Sequence, residues 1–533
     1  MFVRALGAAL VVGLGLASVG VGAASADSGA VRLAIAVPIV VPATSDEFLD
    51  ARTLGQYTSS QGILTRQLDA VTGRTVALGV DPRIIASIRL LGSTAPASAV
   101  SWLERLEALP NETFALAYSD ADLTLQTQAG TSPVLAPESF AFAIDPTRFA
   151  GASTASPAPT AAPTDSPPLP TSDEITAWNY TLEGIAWPRD DTVVSSDLPA
   201  LATSGYTTTI MSSANVSRDS SDSPMATVGG TRVLVSDAAA SAALRTAASA
   251  ALPADAASAL AQLSSALASA GSTVFATLDR SAPASGYRLG EILDALTADP
   301  SVELIPLSSA LASTPSDGTA VDEPQDADRL SRVGQMISGE RAEREFATVA
   351  TDPAAITSER RLELLTLLSA EWSDDLAEWP EAADAFTTAS IELRNAVHLV
   401  TGSNFLLVAD NDQYLPITVN NALEQPVVVY VTVRSQSGLL VIDRPIVQLP
   451  IEAGTQGKVN VPVHSLSNGV VEVDVSLSSS AGVAIGAPVT SSVNVQAGWE
   501  TPIVVAIAIL VVLVFGAGIV RTILRRRKGV PRD

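Results

Sequence analysis

Residues 75–85 read TVALGVDPRII, and this stretch decides how the first half of the chain is interpreted. Thr75 to Val80 form an apolar run of strand length. The Asp81-Pro82 pair that follows is typical of a helix N-cap with proline at the first helical position. A strand that leads at once into a helix predicts a β–α unit.

The same pattern recurs along residues 27–312. Eight apolar runs are predicted as strands: Val31–Val41, Thr75–Val80, Phe114–Tyr118, Gly184–Trp187, Tyr206–Ile210, Arg232–Val235, Thr273–Leu278 and Val302–Pro306. Helical patterns lie between most of them, including Ala97–Leu109 and a long one at 237–270 that is broken near Pro253. Because strands that alternate with helices pair in parallel, we predict an irregular (β/α) barrel-like domain, with an α/β layer as the alternative.

Three further units follow from composition and period. Residues 151–172 contain almost only Pro, Ser, Thr and Ala, which predicts a flexible surface insertion. Residues 313–325 are polar and acidic and predict a linker, and residues 326–396 have helical periodicity. Residues 397–496 alternate with a period of two, which predicts an immunoglobulin-like β-sandwich. The predicted fold class is therefore multidomain α/β plus all-β.

The two ends of the chain predict its location. Arg4, an apolar run and Ala24-Ser25-Ala26 are typical of a signal peptide cleaved after residue 26. Residues 503–520 carry no charge, and the tail at residues 521–533 is basic. This predicts one transmembrane helix in the plasma membrane, with a large extracellular N-terminal part and a short cytoplasmic tail.

Composition excludes several classes of protein. The chain has 533 residues, a formal charge of −25, no cysteine and only two histidines, so we expect no metal, no cofactor and no Ser-His-Asp triad. A nucleic-acid-binding protein would need a basic face, and this chain is acidic overall, with 31 Lys and Arg against 56 Asp and Glu. We therefore expect no nucleic-acid partner. Without Arg4, the six basic tail residues and Asp533, the predicted exported part has 24 basic and 55 acidic residues, a net charge of −31. We therefore expect any wall glycan to be held by neutral sugar contacts.

Acidic residues follow several predicted strands, where ligand sites of parallel α/β folds gather. The candidates for catalysis are Asp120, Asp122, Asp190 and Asp279. Two such carboxylates could perform glycoside hydrolysis, and Tyr118 and Trp187 could stack on a sugar ring. The alternative is that each of these aspartates caps a helix or lies in a solvated loop.

Six sequence segments along the chain resemble those of a known protein family. They are VALGVDPRII (76–85), FALAYSDADL (114–123), GIAWPRDD (184–191), RRLELLTLLSAEW (360–372), LPITVNNALEQPVVVYVTV (415–433) and RRRK (525–528). Because these segments occur in this order, the chain resembles an uncharacterised actinobacterial envelope family, domain-of-unknown-function family six-zero-four-nine. The resemblance implies a cell-envelope role, since such proteins are often encoded beside the lipid II flippase. The first region is also similar to polysaccharide-deacetylase and glycosidase barrels, but it lacks the two metal-binding histidines of the deacetylases.

These observations lead to three hypotheses. The first is a non-catalytic, membrane-anchored envelope protein that binds a cell-wall glycan or a partner in wall assembly, such as the flippase machinery. The second is a metal-independent glycoside hydrolase that uses the strand-end aspartates. The third is an adhesin or structural spacer, which a filled barrel mouth would favour.

Overall fold

The computed structural model describes residues 29–149, 169–280, 286–373, 377–400, 405–407, 413–495 and 500–527. The predicted signal peptide, most of the predicted insertion and the last six residues of the predicted tail lie outside these ranges. The described residues form 15 α-helices and 20 β-strands in a mixed α/β arrangement.

All eight predicted strands of the first region are present, together with three further short strands. The strands are β1 (Val31–Ile39), β2 (Ala77–Val80), β3 (Thr113–Ala115), β4 (Ile185–Ala186), β5 (Thr208–Ser212), β6 (Val216–Arg218), β7 (Met225–Val228), β8 (Thr231–Ser236), β9 (Thr273–Thr277), β10 (Val302–Leu304) and β11 (Ser316–Ala320). The helices are α1 (Ala51–Tyr57), α2 (Ile63–Val71), α3 (Pro82–Leu90), α4 (Ala97–Glu107), α5 (Leu123–Gln128), α6 (Ser172–Thr176), α7 (Asp197–Thr203), α8 (Ala238–Ser249), α9 (Pro253–Ser269), α10 (Gly286–Ala298) and α11 (Leu307–Leu311).

The expected parallel pairing is confirmed. Strands β9, β1, β2 and β3 form a parallel half-barrel, and β10 also pairs with β1. Strands β4, β5 and β8 form a second parallel group, which β7, β11 and β6 extend. Side chains of both groups share one core cluster that includes Phe114, Trp187 and Phe275. Gly79 lets the Trp187 ring approach β2 closely, because a Cβ there would lie 3.1 Å from that ring.

Capping aspartates and a proline set several helix ends. Asp81 accepts a hydrogen bond from the backbone N–H of Arg83, so the predicted N-cap is confirmed, and Asp237 caps α8 in the same way through the N–H of Ala240. The predicted break near Pro253 is the junction between α8 and α9.

The stretch predicted as a linker contains β11. This strand pairs in parallel with β7 and antiparallel with β6. Its side chains show no apolar alternation, so the sequence pattern does not predict a strand here. The strand is held by backbone hydrogen bonds and by Asn215, whose side-chain amide donates to the Val321 carbonyl.

Three helices follow and join the first region to the last: α12 (Ala327–Ala347), α13 (Pro353–Leu367) and α14 (Trp379–Arg394). Buried ion pairs link α12 to α13, with Arg361 Nη2 2.7 Å from Glu340 Oε1 and Arg360 Nη2 3.0 Å from Glu343 Oε1. On one side of this unit the Asp122 N–H donates to the Leu368 carbonyl. The unit therefore packs directly against the strand ends of the first region.

The last region consists of two sheets around a shared apolar core. Its strands are β12 (Val397–Leu399), β13 (Phe405–Leu407), β14 (Gln413–Asn421), β15 (Val427–Ser435), β16 (Leu440–Ile442), β17 (Ile446–Ile451), β18 (Gln456–Ser465), β19 (Gly469–Ser478) and β20 (Ala484–Val495). One sheet has the order β12-β14-β18-β16 and the other β13-β20-β19-β15-β17. The predicted period of two is confirmed, since alternate valines of β15 and β19 are buried.

One helix, α15 (Glu500–Arg527), follows the sheets. Its segment Val504–Arg526 has 23 residues, is apolar and is not buried against the rest of the chain. At 1.5 Å per residue this segment is about 35 Å long, enough to cross a bilayer core of about 30 Å. The chain therefore fits a single-pass membrane protein.

Candidate functional site

The carboxyl ends of β3, β4 and β9 meet around one side chain, Arg280. Its Nε lies 3.0 Å from Asp120 Oδ2 and its Nη2 lies 3.3 Å from Asp120 Oδ1. The Nη2 also donates to the Trp187 carbonyl, and the guanidinium carbon is 4.5 Å from the centre of the Trp187 ring. Arg280 thus occupies the position at which a parallel α/β fold would bind a ligand.

The Asp120–Arg280 pair is closed to solvent. The side chains of Asp120 and Arg280 are only 6% and 9% exposed. Burial raises the pKa of Asp120 above its usual value, and the attraction of Arg280 opposes this rise. Burial also lowers the pKa of Arg280, but Asp120 and more distant aspartates outweigh this effect and raise it. Because the guanidinium keeps its proton, Asp120 serves as the partner of a buried cation.

The two predicted stacking residues are buried as well. Trp187 lies between Arg280 and Phe114, with 5.9 Å between the centres of the Trp187 and Phe114 rings. The hydroxyl of Tyr118 donates to the Glu47 carbonyl at 3.1 Å, and its ring packs against Phe140. Neither ring presents an exposed face to a sugar.

Asp122 is the N-cap of α5. Its Oδ1 accepts hydrogen bonds from the N–H groups of Thr124 and Leu125, and its Oδ2 accepts one from Gln325 Nε2 at 2.7 Å. Both carboxylate oxygens are therefore engaged in holding α5 and the chain that precedes α12. Asp122 therefore caps a helix, which was the alternative to a catalytic role.

The remaining two candidates lie at the same edge. Asp190 forms an ion pair with Arg245, whose Nη2 is 2.5 Å from Asp190 Oδ2 and also donates to Thr277 at the end of β9. Asp279 is half-buried next to Arg280 in the chain. Asp120, Asp122 and Asp190 all raise the pKa of Arg280, so the structure gathers these three carboxylates around one cation.

Asp81 has a second role besides capping α3. Its Oδ1 also accepts a hydrogen bond from the Ser119 N–H at 2.8 Å, across 38 residues. Ser119 and Asp120 have φ angles of 58° and 46°, a left-handed conformation that costs free energy outside glycine. Burial raises the pKa of Asp81 to about 7, although hydrogen bonds from Arg83 and Ser119 lower it. The carboxyl of Asp81 thus fixes the strained turn that presents Asp120 to Arg280.

An open cavity of about 330 Å³ lies at the amino end of β3. Its lining consists of Arg89, Leu106, Glu107, Leu109, Asn111, Thr113, Ala177, Trp178, Asn179 and Thr181. Trp178 is half-buried and Asn179 is exposed. One arginine and one glutamate are the charged members, so the lining itself carries no net charge. This site could not be predicted from the sequence, because no pattern links α4 to the segment after α6.

The segment that carries Trp178 is firmly held. Arg89 Nη1 donates to the carbonyls of Glu174, Ile175 and Ala177 at 2.9, 3.1 and 2.5 Å. Thr181 Oγ1 accepts a hydrogen bond from the Thr113 N–H at 2.7 Å. These bonds fix both ends of the cavity wall against α3 and β3.

Comparison with known proteins places the chain in a family. A family of unknown function, DUF6049, matches residues 16–532. The chain belongs to this family. No curated protein sequence matches this DUF6049 member.

Several solved structures resemble a small part of the DUF6049 chain. Native alpha-2-macroglobulin from Escherichia coli is 16% identical over 19% of this chain and 16% of its own, with a TM-score of 0.16. The E. coli chaperone DraB is 12% identical over 19% and 55%, with a TM-score of 0.15. The Caenorhabditis elegans MSP family member WR4 is 7% identical over 19% and 99%, also with a TM-score of 0.15. This chain spans about a sixth of the alpha-2-macroglobulin structure.

Proposed function

We propose that the protein is a non-catalytic, membrane-anchored envelope protein whose large N-terminal part lies outside the cell and binds a cell-wall glycan. In this proposal residues 1–26 are a cleaved signal peptide and the basic tail is cytoplasmic. A partner in wall assembly, including the flippase machinery, could bind the same exported part.

The observation that carries the proposal is the buried pair of Asp120 and Arg280. A hydrolase needs one carboxyl group as proton donor and one as nucleophile or base, both in contact with substrate. Here Asp120 is closed off by Arg280, Asp122 is used as a cap and Asp190 is paired with Arg245. Because three of the four candidate carboxylates are engaged in this way, the geometry supports binding rather than hydrolysis.

We infer that the two parallel groups of the first region close into one irregular (β/α) barrel. The support is their shared core and the hydrogen bond from the Asp237 N–H, after β8, to the Phe275 carbonyl of β9. Small residues of β1 and β2, Ala34, Ala36 and Ala77, leave room for the large rings in this core. We also infer an immunoglobulin-like topology for the two sheets of the last region.

The cavity beside Trp178 is the glycan-binding site that we favour. Its volume is at the lower end of the range for small-ligand pockets, which suits one or two sugar rings. A half-buried indole offers an apolar face, and the asparagine and threonine side chains around it offer neutral hydrogen-bonding groups. Such contacts suit a neutral glycan on a protein that is strongly acidic.

Sedimentation with purified peptidoglycan tests this proposal. We expect the full chain in detergent to sediment with the glycan, and Trp178→Ala to weaken retention about ten-fold. Tyr287→Ala, which removes a ring that is 75% exposed on α10, is the matched control and should bind normally. Equal retention of the Trp178 and Tyr287 variants, with both folded by circular dichroism, would contradict the proposal.

A structural spacer is the second candidate, and two observations favour it: Arg280, Asp120 and Trp187 fill the strand ends, and the molecule is continuous. Ion pairs join α12 to α13, and the Val428 N–H of β15 donates to the Val349 carbonyl at 2.8 Å. These contacts form a connected body from the strand ends to the last sheets. A chain that retains no glycan and no wall-assembly partner would favour the spacer over the binding protein.

A further inference from the structure

One end of the two sheets in the last region contacts the helical unit. From the other end the chain leads to α15. At the first end the Ser479 and Thr348 hydroxyls are 2.7 Å apart, and β15 begins beside Val349. At the second end Val495 of β20 pairs with Gly469 of β19. Strand β19 has ten residues, so these ends are roughly 30 Å apart.

We call the second end the rim, and define it as residues 436–439, 465–470 and 493–495. A hydrogen bond from the Leu466 N–H to the Leu439 carbonyl joins two of its segments at 2.8 Å. Leu439 also lies close to Gly469, where a Cβ would be 3.1 Å from Leu439 Cδ1. The pairing of Gly469 with Val495 brings in the third segment. The rim is therefore one contiguous surface.

The rim contains no charged residue, although the chain as a whole has a formal charge of −25. Its tip instead exposes two aliphatic side chains, Leu466 at 58% and Val470 at 68%. Leu466 and Val470 therefore make the tip of the rim apolar. Carboxylates border the rim: both oxygens of Asp474 accept hydrogen bonds from Gln436 Nε2 at 3.0 Å, and Asp443 lies 2.7 Å from His464, the residue before Ser465.

The position of α15 limits what can cover the rim. Four residues separate Val495 from Glu500, so the end of β20 and the start of the helix are at most about 17 Å apart. With the apolar segment Val504–Arg526 in a bilayer, the rim is the part of the sheets that the chain holds nearest to the lipid. This holds on either side of the membrane.

We propose that the rim docks on the lipid surface, with Leu466 and Val470 in the interfacial layer. Burial of the two aliphatic groups favours contact, and the tip at residues 465–470 has no charge of its own that anionic headgroups would repel. Docking would hold the sheets upright on the membrane and point the helical unit and the first region away from it. The proposal does not depend on glycan binding.

The absence of cysteine makes a direct test possible. Ser467→Cys at the rim and Ala453→Cys at the opposite end of the sheets would each carry one environment-sensitive fluorophore in the full chain. The chain would be reconstituted in phosphatidylcholine vesicles and in vesicles that also contain phosphatidylglycerol. Quenching by headgroup-spin-labelled lipid and by aqueous iodide then reports which medium surrounds each position.

Docking predicts that the label at residue 467 is quenched by the spin-labelled lipid and shielded from iodide, and that the label at residue 453 behaves in the opposite way. Adding Leu466→Asp and Val470→Asp should reduce the lipid quenching at residue 467 at least three-fold. Leu252→Asp is the control, since Leu252 is 61% exposed in the first region; it should change nothing.

Three results would overturn the proposal. One is equal iodide access at residues 467 and 453. Another is lipid quenching at residue 467 that survives both Asp substitutions. A third is protection that disappears when the protein is diluted in lipid, which would mean that a second copy of the chain covers the rim.

Discussion

At the carboxyl ends of the parallel strands, the space is filled by Arg280, Asp120 and Trp187, which are buried and bonded to one another. At the amino end of β3, a cavity of about 330 Å³ remains open beside Trp178. Parallel α/β folds bind ligands at the carboxyl ends, so the position in the fold alone would indicate the end that these side chains fill. The comparison shows that side-chain pairing and burial, rather than strand topology, indicate which end can hold a ligand.

The largest expected effect comes from breaking the filled end. Arg280→Met should lower the free energy of unfolding by about 3–5 kcal/mol, because it leaves the Asp120 carboxylate buried without its cation. Adding Asp120→Asn should restore much of this loss, since neither charge then remains. Urea titration of the three variants gives the coupling energy. A coupling close to zero would mean that the pair does not stabilise this end.

Asp81 should make the stability of the same end depend on pH. Burial raises its pKa to about 7, so between about pH 4 and 7 the folded chain keeps a proton that the unfolded chain loses. The contribution of Asp81 to the free energy of unfolding therefore falls as pH rises through this window. Asp81→Asn keeps the cap, and its stability relative to the wild type should increase by up to about 4 kcal/mol from pH 4 to pH 8. Parallel pH profiles would contradict this.

The open end should respond to Arg89. Arg89→Met removes the three hydrogen bonds that hold residues 174–177, at a cost of about 2 kcal/mol in stability. Because Trp178 follows this segment directly, glycan retention should fall as well. Arg332→Met, which removes an exposed ion pair with Asp384 on α14, is the control and should leave retention unchanged. Normal glycan retention by the Arg89 variant would contradict this prediction, because it would show that binding does not need the cavity wall at residues 174–177.

The smallest effect is expected at Ser119. Ser119→Gly should raise the free energy of unfolding by about 1 kcal/mol, because glycine adopts a φ of 58° without the cost that serine bears. Glycan retention should not change if the strand ends have no part in binding. A stabilised variant that binds less glycan would show that the strained turn serves function.

The local features of the fold could be predicted because each depends on neighbouring residues. The Asp81-Pro82 cap, the break at Pro253 and the alternating valines of β15 act within one or two turns or along one strand. The short strand β11 could not be predicted, because it is polar and owes its order to partners about a hundred residues away.

The candidate sites depended on contacts that the sequence does not display. The strand-end aspartates were found, since carboxylates directly after apolar runs are visible in the sequence. Their partner Arg280 was not, because it lies 160 residues from Asp120 and only the fold brings the two together. The cavity beside Trp178 was missed for the same reason, since α4, β3 and the segment after α6 each contribute part of it.

One measurement tests the central claim most directly: peptidoglycan retention and hydrolysis by the Asp120→Asn/Arg280→Met double variant and by Trp178→Ala, each as the folded full chain. We predict that the double variant retains the glycan like the wild type, that Trp178→Ala loses retention, and that none of the proteins releases reducing ends. Release of reducing ends by the wild type that disappears in the double variant would contradict the account, because the strand ends would then be an active site.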